Sequence, residues 1–273
     1  MLFFAQNVNK TILHHQSSTM ENQTDILLCK SCAAPLSGVY CGQCGQKIIQ
    51  RRITMRAIFD DIFSQISNVD HGLIYTFFLL FKKPQQVVLD YIAGKTVKYS
   101  SPFRYLIFWT AVSALIYIGF GFYDQQVAGM ADLMPTKENQ KVNEFATLYN
   151  DLMKQYFQVV SILYIPFFAI FTRYFFKKSG FNYAEHLVAN AYFSAQASIV
   201  FMPILLLRLN MDLIFTLSTL IMVLYYTYAI RMLFKQGWLA ALFKVVLIYF
   251  LSIFLFSIVF SIAFVPFVFL QKS

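Results

Sequence analysis

Charge is scarce in this chain, and acidic charge scarcer still. Of 273 residues, 13% are charged, 22 of them Lys or Arg and 13 Asp or Glu, while 58% are apolar, with 31 Phe and 17 Tyr. A typical soluble domain is about 45–50% apolar and about 25% charged, so an ordinary water-soluble globule is excluded. Cysteine is confined to four residues between Cys29 and Cys44. None can staple a distant loop, which argues against a secreted disulfide framework and for metal or redox chemistry in a reducing compartment. The opening MLFFAQNVNKTILHH lacks the charged start, apolar stretch and cleavage site of a signal peptide, so insertion is expected from an internal helix. No G-x-S-x-G or H-E-x-x-H pattern occurs, and Asp70-His71-Gly72 has no Ser or Cys nucleophile nearby, so it reads as a turn. The formal +9 is scattered between apolar runs, which fits a membrane better than a nucleic-acid surface.

What is there divides the chain into four parts. Residues 1–28 are rich in Asn, Gln, Ser and Thr without periodicity and are expected to be a disordered arm, with Met20 as an alternative start. Residues 29–50 hold the cysteines. Over residues 54–101 the pattern predicts interfacial amphipathic helices. Thr54 can cap a helix whose apolar residues Met55, Ile58, Phe59, Ile62, Phe63, Ile66 and Val69 recur at steps of three and four. Leu73–Phe81 is too short to span a bilayer and should lie in the interface or dip in and return, while Pro84 suits the first turn of a helix stopped at Gly94.

Residues 102–273 contain five uncharged stretches, Tyr105–Tyr123, Gln155–Thr172, Leu187–Leu207, Leu213–Ile230 and Val245–Leu270. Each reaches the length that crosses a bilayer as a helix. The alternation required of barrel strands is absent. The fold class is therefore an all-α polytopic membrane protein, with transmembrane helices near 104–123, 155–174, 185–207, 211–232 and 241–270. With the N-terminus cytosolic, seventeen Lys and Arg fall on the cytosolic side and five on the other. The positive-inside rule then places the C-terminus outside. The segment from Asp124 to Lys154 becomes the one sizeable outer loop.

The segment CKSCAAPLSGVYCGQCGQK pairs Cys29 with Cys32 and Cys41 with Cys44, eight residues apart. Each C-x2-C puts two thiolates on one tight turn, and two facing turns supply the four soft, tetrahedral ligands that Zn²⁺ prefers. Gly42 and Gly45 fit such turns. A structural zinc ribbon is expected, with a dithiol redox site as the alternative reading. Four protein thiolates leave no open position for a substrate, so zinc catalysis is not expected.

The order of these features resembles an uncharacterised bacterial membrane family, domain of unknown function 3667. The resemblance rests on the ribbon ending CGQCGQK, the amphipathic helix and TFFLLFKKPQQVVLDYIAGKTVKYSSPFRYL, with its specific part over Pro84–Arg104. It implies the bacterial cytoplasmic (inner) membrane and an N-terminal ribbon, and implies no activity.

Within the bundle, Glu185, His186, Asn190 and Gln196 on the third span form the candidate polar site. Against a proton or substrate role stands the simpler reading of headgroup-level charge and interhelical hydrogen bonds. Lys95, Lys98, Arg104, Arg173, Lys177 and Lys178 are candidate contacts for lipid headgroups. The expected function is a non-enzymatic scaffold, adaptor or sensor whose cytosolic ribbon binds a protein partner. Neither enzyme activity nor nucleic acid is expected, and a homo-oligomer is compatible with the sequence. The alternative is a small transporter or channel using the polar residues of the third span.

Overall fold

The computed structural model describes residues 28–36, 38–47, 52–58, 72–133, 140–205 and 209–271. The N-terminal arm through residue 27, the amphipathic pattern from Phe59 to Val69, the Asp70-His71 pair and Arg208 lie outside the described residues. The chain falls into two compact units, Met1–Ile48 and Ile49–Ser273.

In the first unit the described residues form no strand beyond two isolated antiparallel bridges, Leu28 with Pro35 and Tyr40 with Lys47. The second unit is helical. Thr54 Oγ1 accepts the Ala57 N–H at 3.4 Å, capping the helical turn from Met55. Helices α1 (Gly72–Lys82) and α2 (Pro84–Ile92) make a hairpin broken at Lys83, with Pro84 in the first turn of α2 and Gly94 just past its end at φ 89°. There follow α3 (Pro102–Gly119), α4 (Phe122–Leu133), α5 (Gln140–Gln155), α6 (Phe157–Leu163) and α7 (Ile165–Phe175). A short 3₁₀ turn, Lys177–Ser179, leads to α8 (Tyr183–Leu205), α9 (Met211–Phe234) and α10 (Trp238–Gln271).

Among the described residues, five helical segments are long and apolar enough to cross a membrane: α3, the α6–α7 pair, α8, α9 and α10. The α6–α7 pair breaks at Tyr164 because Pro166 has no N–H to continue the ladder. The segment expected to be an outer loop contains two helices, α4 and α5. Val142, Phe145, Leu148 and Leu152 recur at helical spacing there. Such helices are too polar to register as spans, and a count of loop charges passes over them.

The core is built around α8, which packs against α3, α7 and α9 and also touches α1 and α2, while α10 lies outside against α7 and α9. The α1–α2 hairpin, expected at the interface, buries Leu80, Val87 and Val88 completely. Carbonyls at the end of α1 accept from α9 tyrosines, Leu80 from Tyr225 at 3.4 Å and Lys82 from Tyr228 at 2.9 Å. These are the groups a helix terminus otherwise leaves without partners.

Candidate metal centre and the polar face of the central helix

The two cysteine pairs fold into matching knuckles. In the first, Cys29 N–H donates to Ala34 O and Cys29 O accepts from Ala33 N–H, both at 2.8 Å. In the second, Cys41 N–H donates to Gln46 O at 2.8 Å and Cys41 O accepts from Gly45 N–H at 2.9 Å. The turn demands a left-handed residue just after each second cysteine, and Ala33 (φ 59°) and Gly45 (φ 69°) supply it. Gly45 therefore matches the expectation for the turns, whereas Gly42 is not at positive φ.

The knuckles bring all four Sγ atoms within 4.8 Å of one another, with Cys29 to Cys44 and Cys32 to Cys41 each at 3.6 Å. A tetrahedron with Zn–S near 2.3 Å has edges of about 3.8 Å. A disulfide needs sulfurs about 2.05 Å apart, so the set is arranged as ligands rather than as bridges. The N–H groups of Cys44 and Gln43 pull the Cys41 thiol down to about 6. Cys44 is eased by the Gln46 N–H, yet burial and the other thiols push it up to about 12. Four such groups do not ionise together at neutral pH unless a cation offsets their mutual repulsion. Gln46, buried to 2% exposure, ties the knuckles together by accepting from Ser31 Oγ at 3.0 Å and donating to Lys47 O at 2.7 Å. Sequence reasoning missed this residue, although the repeated Cys-Gly-Gln of the second pair marks it.

On α8, the polar residues singled out from sequence are all buried, but they serve different partners. Glu185 closes a capping box, accepting from Asn182 N–H at 2.8 Å while Asn182 Oδ1 accepts from Glu185 N–H at 2.9 Å. The same carboxylate takes both arms of Arg52, Nε at 2.6 Å and a terminal nitrogen at 2.5 Å. Arg52 also donates to Gly180 O, and Asn182 Nδ2 donates to Ile53 O at 3.0 Å. These bonds stitch residues 52–53 to the start of α8, a partnership across 133 positions that the sequence did not advertise.

His186 is fully buried between Phe181 and Phe234, at ring-centroid distances of 5.7 and 5.6 Å, and among the described residues neither of its ring nitrogens has a hydrogen-bond partner. Asn190 donates to Thr172 Oγ1 at 2.9 Å and to His186 O at 2.8 Å. Gln196 accepts from Tyr105 OH at 2.5 Å. The four residues thus do not converge on one partner.

A third polar cluster links the start of the bundle to α8. Asp90 accepts from Tyr99 OH at 2.7 Å and from Lys95 Nζ at 3.0 Å. Burial, helped by the Asp90 carboxylate, raises the Tyr99 phenol and keeps it a donor. Ser100 N–H donates to Thr76 Oγ1 at 2.9 Å and Ser100 O accepts from Tyr192 OH at 2.6 Å. Gly72 fits under this loop because a Cβ there would meet Tyr99 C and Ser100 N at 2.9 Å. Residues 70–114 match the family model described as Protein of unknown function (DUF3667). The family resemblance read from the sequence thus stands over these residues. No curated protein and no solved structure matches the chain. The matched residues thus cover α1, α2, the Asp90–Tyr99 knot and about two thirds of α3.

Of the cations expected at headgroups, Lys95 is engaged by Asp90, Arg104 is half-buried, and Lys98, Arg173, Lys177 and Lys178 are exposed.

Proposed function

We propose that this is a non-enzymatic scaffold or adaptor of the bacterial cytoplasmic membrane. In this reading the ribbon is cytosolic, holds a structural Zn²⁺ through Cys29, Cys32, Cys41 and Cys44, and docks a partner protein. The observation that carries the reading is the arrangement of the four thiols. It uses every position of a tetrahedral ion and leaves none for a substrate, which is the signature of a structural rather than a catalytic site. A divalent cation there would act as the ribbon's core and lower the thiol pKa values together. Leu28, Val39 and Tyr40, at 56%, 66% and 59% exposure, are large apolar side chains that the small ribbon leaves uncovered. Exposed apolar groups of this kind are suited to a protein contact.

The test is a photoreactive residue at Val39 in the full chain in cells, with crosslinked products identified by mass spectrometry. The reading expects one partner that disappears in the Cys41→Ser, Cys44→Ser variant. Identical products from both forms would overturn it. A transporter reading draws on one specific observation, the partnerless nitrogens of His186 beside Asn190, whose Oδ1 also has no hydrogen bond. Solute flux lost in His186→Phe but kept in the double cysteine variant would favour that alternative.

A further inference from the structure

The end of the bundle where α7 finishes, α8 begins, α9 finishes and α10 begins is cationic, and two of its cations lie over aromatic rings. Phe176, directly after α7, and Phe234, the last residue of α9, stack with centroids 4.3 Å and planes 7° apart. Lys177 follows Phe176 and Lys235 follows Phe234 in the chain. From α10, Lys244 reaches back to place its ammonium 4.8 Å over the Phe176 ring while donating to Gln236 Oε1 at 3.0 Å. One turn before the end of α9, the Arg231 guanidinium lies 4.8 Å over Trp238, and among the described residues its buried Nε has no hydrogen-bond partner.

Among the described residues no carboxylate offsets this charge. Glu185, the acid at this end, has both carboxylate oxygens taken by Arg52, one of them shared with the Asn182 N–H. Among the described residues, none of Lys177, Arg231, Lys235 and Lys244 pairs with a carboxylate. Like charges at one end of a bundle repel over a distance of about 8 Å in physiological salt, so the arrangement is suited to an anion from outside the chain. Arg231 and Lys244, each steadied on a ring, offer N–H groups already oriented for one.

The surroundings identify the carrier of that anion. Trp238 is 51% exposed, and beyond it Leu239 and Phe243 are 83% and 66% exposed on a helix apolar enough to cross a bilayer. An indole at the start of such a helix is the usual marker of headgroup depth. The exposed apolar side chains that follow suit acyl chains rather than water.

We propose that this junction binds the headgroup phosphate of an anionic phospholipid. Arg231, Lys235 and Lys244 contact the phosphate, and Trp238, Leu239 and Phe243 lie along the glycerol and acyl chains. The site is more specific than a basic belt, because it is assembled from three helices around the Phe176–Phe234 stack, and it is independent of the metal and partner reading.

The chain has two tryptophans, Trp109 and Trp238, so Trp109→Phe leaves Trp238 as the sole reporter. The full-length protein is reconstituted in phosphatidylcholine vesicles containing a minor fraction of phosphatidylglycerol, with the acyl chains of one or the other lipid brominated to quench indole fluorescence. The proposal expects brominated phosphatidylglycerol to quench Trp238 far out of proportion to its share of the bilayer. Each cation near the membrane surface contributes about fivefold to anionic-lipid affinity, so Lys235→Ala, Lys244→Ala should lower the preference at least tenfold. Lys235→Arg, Lys244→Arg should keep it, which separates lost charge from lost fold, and Lys154→Ala, far along the chain in α5, should leave it unchanged. Equal quenching by the two brominated lipids, or a preference that survives loss of both lysines, would overturn the site. A preference abolished by inorganic phosphate at constant ionic strength would assign the site to the free anion and overturn the lipid.

Discussion

The ribbon and the bundle of this chain are held by opposite means. Among the described residues from 28 to 47, burial below a tenth of the surface is reached by only Cys29, Cys41 and Gln46, and large apolar side chains stand outside. A unit this small cannot bury enough apolar surface to fold by itself, and its order rests on the two cysteine knuckles. The bundle reverses this. Its main core cluster reaches from Ile53 to Ile248, with a second around Ile204, Leu205 and Ile214, and many of its polar groups hydrogen-bond to one another. The difference teaches that the cysteines hold the ribbon's shape, while residues distant in sequence hold the bundle's.

Four changes would break or sharpen that contrast. Chelation under reducing conditions has the largest expected effect, because structural zinc in comparable short peptides contributes roughly 10–16 kcal/mol of folding free energy. Residues 28–47 should lose their protection from protease, while unfolding of the bundle stays within about 0.5 kcal/mol of its untreated value. In the bundle, Arg52→Ala strips the 2%-exposed Glu185 of its guanidinium. That should destabilise by about 3 kcal/mol in detergent unfolding titrations, with Glu185→Gln milder because it leaves no buried charge. Gly72→Ala drives a methyl into the Tyr99–Ser100 backbone and should cost about 2 kcal/mol by the same measurement. The smallest effect runs the other way. Ala33→Gly relieves a left-handed alanine and should stabilise the metal-loaded ribbon by roughly 1 kcal/mol, read as tighter retention of metal against a competing chelator.

Inside the bundle a second contrast explains which parts of the fold were legible. The α8 window has a mean hydropathy of 1.4 and is 67% buried, whereas that of α10 has 2.8 and is 17% buried. In lipid the greasiest helix belongs outside and the more polar one inside, since buried side chains find hydrogen-bond partners there. Span positions were readable because lipid imposes a minimum apolar length on any crossing helix. The clustering of the four cysteines was readable because C-x2-C spacing fixes the turn geometry locally. Pro84 and Gly94 marked the ends of α2 for the same local reason.

What escaped was long-range. Nothing beside Arg52, within a run of basic residues, singles it out as the partner of a carboxylate 133 positions later. The faces of α1 and α2 that bury against α8 and α9 read equally well as faces for a membrane surface. The polar residues of α8 suggested a common site when taken by helical spacing alone. Three of them bond to neighbours on other elements, Arg52 for Glu185, Thr172 for Asn190 and Tyr105 for Gln196, while His186 packs between Phe181 and Phe234.

The most direct test of the account is the metal content of the full-length protein, purified without added metal or chelator, together with the X-ray absorption spectrum of the bound ion. One zinc per chain in a shell of four sulfurs at about 2.3 Å, lost in Cys41→Ser, Cys44→Ser, is the predicted result. Folded protein without metal, with all four thiols open to alkylation, would contradict it.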